Sequence, residues 1–160
     1  MTSEDKLLRE QLVQTLRGGQ AHADILNAIK DFPSEHYGTT PRGFPYSAWQ
    51  LLEHIRIALN DLLIFSTSPD YVAPKWPDEY WPKEDAPEDP SDWETSVNAI
   101  RADLDAFTAL ISDPKSNLYA RIPWGDGQTL LREILLTIDH NSYHIGQLVL
   151  LRKVLGEWKN

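Results

Sequence analysis

The sequence predicts an all-α protein: a four-helix bundle with a long Pro- and aromatic-rich crossover loop between its second and third helices. Three observations predict it. Apolar residues recur at spacings of three and four along four long segments. Capping residues, prolines and glycines bound those segments. No stretch alternates apolar and polar residues as a half-buried strand would. At 160 residues the chain is expected to form a single domain over 1–160, long enough to bury a core.

The first helix is expected over residues 3–31, with Leu8, Leu12, Leu16, Ile25 and Ile29 at helical spacings. Gly18 and Gly19 sit inside it, where they would loosen or kink it, and Phe32-Pro33 ends it. The second helix begins at Ser47. Ser47 and Gln50 match a capping box, in which each side chain satisfies a free backbone N–H of the other residue. Leu51, Ile55, Ala58, Leu62 and Phe65 then form its apolar stripe, up to Ser68-Pro69.

Residues 69–90 hold six prolines, two tryptophans and two tyrosines. So many prolines exclude a regular helix, while the aromatics argue against plain disorder. The segment reads as an ordered loop packed on the bundle by Trp76, Tyr80 and Trp81, and long loops of this kind are usually lids or interface segments. The third helix is expected to open on a capping box of Ser91 and Glu94. Trp93, Val97, Ile100, Leu104, Phe107 and Ile111 give it a bundle-type seam, and Asp113-Pro114 closes it. A connector ending at residues 123–127 leads to the fourth helix, expected over 129–155, with Gly156 suited to a left-handed C-terminal cap.

Composition narrows function. A formal net charge of −9 and the lack of a basic stripe argue against a nucleic-acid partner. No apolar run is long enough to span a bilayer, and the charged N-terminus does not read as a signal peptide, so no membrane role and a cytoplasmic location are expected. Cysteine is absent, which removes disulfides, thiolate catalysis and zinc-finger sites. Any metal must be held by His, Asp or Glu.

His140 and His144 lie one turn apart on the fourth helix, so their rings can converge on one point. Glu133, Thr137, Gln147 and Leu151 share their face, and Ile134, Ile138 and Ile145 lie to one side, so core positions flank the pair. A buried imidazole must hydrogen-bond or bind something. His54 lies close to the apolar stripe of the second helix and supplies a third inward ring. Three such histidines make three corners of a tetrahedron, leaving the fourth for water or substrate. Zinc fits that arrangement, and nickel, iron, cobalt and manganese also accept imidazole. A helical His pair alone is more often a polar patch or a hydrogen-bonded core pair, so three core histidines in a plain bundle is the competing reading. His22, placed mid-helix, and His36, placed in a loop, read as exposed or singly hydrogen-bonded. The Glu-x-x-His pairs of a di-iron bundle, the zincin H-E-x-x-H, a phosphate loop and a nucleophile elbow are all missing. Gln50 and Gln147 are candidates to orient the ligands or substrate. Glu53 and Asp139 each precede a candidate ligand by one residue, about 100° around the helix, and neither is an obvious base.

These residues carry a resemblance. WQLLEH at 49–54, DHNSYHIGQ at 139–147 and LRKVLGEW at 151–158, with GGQAH at 18–22 and TLLRE at 129–133, are similar to the DinB-like (damage-inducible) superfamily. The resemblance implies a four-helix bundle, commonly a homodimer, holding one divalent transition metal at His54, His140 and His144. Nickel and zinc come first among the ions. It also implies relatives that are thiol-dependent transferases and isomerases using low-molecular-weight thiols such as bacillithiol or mycothiol. The expected function is therefore a metal-dependent enzyme, a thiol-dependent transferase or a hydrolase, with a small-molecule thiol substrate. The alternative is a non-enzymatic, stress-associated, dimeric metal-binding module. The aromatic loop and the end of the fourth helix, Leu155 and Trp158, are the apolar surface that this reading offers to a second subunit.

Overall fold

A computed structural model describes residues 2–158 as five α-helices and one 3-10 turn. Helix α1 spans Ser3–Arg17, α2 Ile25–Ile29, α3 Ala48–Thr67, α4 Pro90–Ser112 and α5 Leu130–Val154, and Ser34–His36 form the 3-10 turn. Among the described residues the only strand-like pairing is one isolated bridge between Arg121 and Thr129. No helix there is long and apolar enough to cross a membrane. The all-α expectation holds.

The four long helices form a ring in which α3 touches α4 and α5, and α1 touches the same two from the other side. The short α2 lies on α5. Each contact uses the stripes read from the sequence. Trp93, Val97, Ile100, Leu104, Phe107 and Ile111 of α4 are all buried, facing Leu51, Leu52, Ile55 and Leu59 of α3 in one continuous apolar cluster. Tyr37 stacks flat on Trp93, with ring centroids 4.0 Å apart, and so closes the base of that cluster.

Polar tethers align the helix ends. Arg9 of α1 is 6% exposed, and its guanidinium donates to the carbonyl of Ile111 at the end of α4 and to those of Asp113 and Ser116 just beyond it. Arg152 of α5 does the same for the end of α2, donating to the carbonyls of Ala28 and Asp31. The Ser47–Gln50 capping box is present in full. Gly156 takes the left-handed conformation just past α5, at φ +80°.

Two boundaries differ from expectation. The first helix does not run to residue 31: it stops at Arg17 and resumes only at Ile25. Gly18 and Gly19 have φ of +74° and +80°, so the pair breaks the helix outright instead of kinking it. Asp24 then caps α2 by accepting from the Asn27 N–H. His22 consequently sits in the exposed turn between the helices, not mid-helix. The box at the start of α4 is formed by Asp89 and Asp92, two residues before the expected Ser91 and Glu94, because Pro90 fits the first helical position and needs no donor partner there.

Candidate metal centre

Helix α3 brings His54, and α5 brings His140 and His144, to one point in the bundle. His54 and His144 are 2% and 7% exposed, and His140 is partly buried. Nε2 of His54 lies 3.1 Å from Nε2 of His144 and 3.0 Å from Nε2 of His140. The three histidines form a cluster that could hold a metal ion. No other group of three His, Cys, Asp or Glu side chains does so among the described residues.

The outward nitrogens set the chemistry of the inward ones. Nδ1 of His54 lies 2.8 Å from the backbone carbonyl of Tyr80, which can only accept, so Nδ1 carries the proton. Nδ1 of His144 donates likewise to Oε1 of Gln147 at 2.7 Å. A neutral imidazole has one N–H, so both Nε2 atoms present bare lone pairs toward each other, with no hydrogen between them. Protonating one ring is opposed by burial, which pushes His54, His140 and His144 down to about 4; the neighbouring rings push in the same direction. At neutral pH the three rings are uncharged, and His54 and His144 aim bare nitrogens at one spot. A cation reconciles the lone pairs. Two ligands at about 2.0–2.1 Å from one tetrahedral ion stand about 3.3 Å apart, close to the spacing seen. Nδ1 of His140 and Oδ1 of its neighbour Asn141 are both buried without a partner in hydrogen-bonding geometry, and Asn141 favours the protonated ring.

The crossover loop completes the site. Tyr80 supplies the carbonyl on His54, and the Trp81 indole stacks on the His54 ring at 3.8 Å and 3°. Tyr46 stacks on the far face of the layer, 4.0 Å from Trp81. Asp61, two turns after His54 on α3, accepts from the hydroxyls of both Tyr71 and Tyr80, at 2.8 and 2.7 Å. Burial and that carboxylate push the Tyr71 hydroxyl up to about 12, and Tyr80 rises for the same reasons, so both remain donors at any ordinary pH. A second tether joins the loop to the start of α3: Ser47 Oγ donates to the Asp85 carbonyl, and Gln50 Nε2 to Asp85 Oδ1 at 2.9 Å.

Gln147 does orient a histidine. Gln50 does not reach the histidines, because its amide is divided between the α3 cap and Asp85. Glu53 turns away toward α4, held by Arg56 at 2.7 and 2.8 Å and by the Ser96 hydroxyl at 2.6 Å. Tyr80 and Trp81 pack on the bundle as expected, but Trp76 is 69% exposed and touches Tyr80 edge-on. His22 is exposed, with its Nδ1 2.8 Å from the Ala23 carbonyl, and His36 lies near Thr39 and Glu157. Sequence reading missed the Tyr80 carbonyl and Asp61. For Asp61 the available signal was a pair of tyrosines in a proline-rich loop following an acid on the His54 face.

Burial of neutral histidines also predicts a pH response of the metal-free protein. Each ring titrates near 6.5 when unfolded and near 4 when folded. Between those values the unfolded chain binds more protons, so stability falls as pH drops from about 6.5 toward 4 and is level above 6.5. The urea midpoint of chelated protein should fall in that window more steeply than that of His54→Leu/His140→Leu/His144→Leu. Equal slopes would contradict the burial of three neutral rings.

Comparison with known proteins agrees with the geometry. The family model described as the DinB superfamily matches residues 19–148, a span that contains all three histidines and the loop. No curated protein and no solved structure gives a significant match to the chain.

Proposed function

Because this chain belongs to the DinB superfamily, we propose that His54, His140 and His144 are the ligands of one divalent transition metal, and that the protein is a metal-dependent transferase or hydrolase acting on or with a small thiol. The observation that carries the first part is the convergence of Nε2 atoms whose Nδ1 partners, Tyr80 and Gln147, leave them unprotonated. Nickel and zinc suit an all-imidazole set best, with iron, cobalt and manganese behind them. A bound ion would supply Lewis-acid activation of a water or a thiol at neutral pH, in a chain that has no cysteine of its own.

The remaining work falls to the protein. Tyr80 and Gln147 fix the ring orientations, so that the ligand atoms need not reorganise. Trp81, lying on His54 and edge-on to His144, excludes water from that side. The thiol comes from the family resemblance and not from a recognition motif.

One observation favours the non-enzymatic alternative. The acids next to the ligands in sequence do not hydrogen-bond to the rings, and Glu53 is fully occupied by Arg56 and Ser96. A general base is not supplied by these groups, so an ion that mainly stabilises the bundle accounts for them equally well. Cobalt-substituted protein separates the two readings. A shift of its visible absorption on adding a small thiol, saturating in the millimolar range or below, is expected for an open coordination position. A spectrum indifferent to thiol and to azide would contradict the enzyme reading and favour the structural ion.

A further inference from the structure

Gln147, which holds the outward nitrogen of His144, also lines a cavity of about 260 Å³ at the bundle surface. Phe44, Pro45, Tyr46 and Leu51 line it from the start of α3, and Gln147 and Leu150 from α5. A tight turn delivers the first of these. The Phe44 N–H donates to the Pro41 carbonyl at 2.9 Å, with Gly43 between them at φ +88°, and Phe44 packs on the core. Leu150 is left 54% exposed at the cavity. By contrast Leu155, read from the sequence as open surface, packs against the core, and Trp158 is partly buried beside Arg152, 5.8 Å from its guanidinium.

The cavity touches the supports of two candidate ligands at once. Tyr46 stacks on Trp81 at 4.0 Å, and Trp81 on the His54 ring at 3.8 Å. Gln147 Oε1 accepts from His144 Nδ1 at 2.7 Å. The Gln147 Nε2 then has two N–H groups to give. Among the described residues it meets no protein acceptor, and it is not shut away from solvent. The chemistry of a ligand follows from this lining. Phe44, Pro45, Tyr46, Leu51 and Leu150 suit an aryl or branched alkyl body. The volume lies just below the usual range for small-molecule sites, which suits a single ring with a short arm. The donor on Gln147 selects an acceptor oxygen. No lining residue is charged, so an ionised carboxylate would lose water there without gaining a counter-ion, whereas a neutral carbonyl loses far less.

We propose that this cavity binds a small neutral carbonyl compound, an amide or ester with one aryl or branched alkyl group, and that Gln147 links its occupancy to the metal centre. The link rests on the reading of the three histidines as metal ligands; the cavity does not. With Nε2 of His144 ligating, its Nδ1–H becomes more acidic and the bond to Gln147 Oε1 stronger. The amide is thereby polarised, and its Nε2–H groups become better donors to the carbonyl of the compound. By linkage, the compound must tighten the metal by the factor that the metal tightens the compound. The compound meets Gln147 beyond the outer nitrogen of His144, while the converging nitrogen is the inner one, so the site is distinct from the coordination position.

The test uses phenylacetamide, followed by NMR of the isotope-labelled chain, first stripped of metal and then loaded with zinc. It should shift the Gln147 side-chain amide and the Trp81 indole N–H together, saturating with a dissociation constant of about 10 mM or below. Phenylacetate, equal in size but charged, should bind at least about tenfold more weakly. Gln147→Glu keeps an acceptor for His144 but has no N–H to give. It should weaken phenylacetamide at least about tenfold while still binding zinc. Leu150→Glu, at an exposed position, should weaken it as much by setting a charge on the wall. Zinc should tighten phenylacetamide about fivefold in the parent. No saturable shift by about 50 mM, equal binding of the acid, or indifference to Gln147→Glu would overturn the site. Those arms are read without metal, so they stand or fall apart from the metal centre. In zinc-loaded protein, an unchanged affinity for phenylacetamide would overturn the link.

Discussion

Replacing His144 with alanine is expected to lower affinity for zinc or nickel by about a thousandfold, measured by competition with a chromogenic chelator. Removing it takes away one of three nitrogen donors and leaves two. Binding free energies of about 10–16 kcal/mol for four-ligand zinc sites imply roughly 3–4 kcal/mol per ligand, which is two to three decades. The loss should be specific. His144 packs at the edge of the α5 seam, whereas the fold rests on Trp93, Phe107, Ile100, Leu52 and Leu148, so helicity should be retained. His22→Ala is the matched control, since that ring lies exposed in the turn before α2. An affinity unchanged in His144→Ala, or lost equally in His22→Ala, would remove the cluster from the account.

Asp61→Ala has the next largest expected effect, and it acts at a distance. Asp61 touches no histidine; it holds the Tyr71 and Tyr80 hydroxyls. Tyr80 in turn presents its carbonyl to His54, and its neighbour Trp81 covers the His54 ring. Removing the carboxylate frees both hydroxyls and unpins this part of the loop. Two hydrogen bonds to a charged, half-buried acceptor contribute about 2 kcal/mol together after allowing for solvent, so the thermal midpoint should drop by several degrees. Metal affinity should fall by about tenfold, the lower end of what lost ligand orientation costs. The two effects together distinguish a positioning role from a purely structural one. Stability lost with metal affinity intact would mean that the loop holds the bundle but not the ligand.

Much of this architecture was legible from local patterns. The seam of α4 obeys a helical period and is buried throughout. Ser47 and Gln50 form the cap their spacing demands, and Gly156 bends the chain where a left-handed residue was needed. The three histidines came together because two are one turn apart on α5 and the third sits on an apolar stripe that faces them. What escaped was written in the backbone or in competition. The Tyr80 carbonyl is a peptide oxygen, and every residue has one, so nothing in the sequence marks it. Gly18 and Gly19 stood within a continuous helical period, and two glycines in the left-handed region outweighed it. Ser91 matched a cap as well as Asp89 did, but Pro90 decided between them by fitting the first helical turn. Gln50 was read toward the histidines when the cap and Asp85 already claimed its amide.

The most direct test of the central claim is elemental analysis of the chain purified without an affinity tag, before and after reconstitution, beside His140→Ala/His144→Ala. About one equivalent of a divalent transition metal per chain is expected in the parent and less than about a tenth in the double variant. No stable metal in the reconstituted parent, or the same content in both, would make these three rings a buried polar cluster and contradict the metal centre.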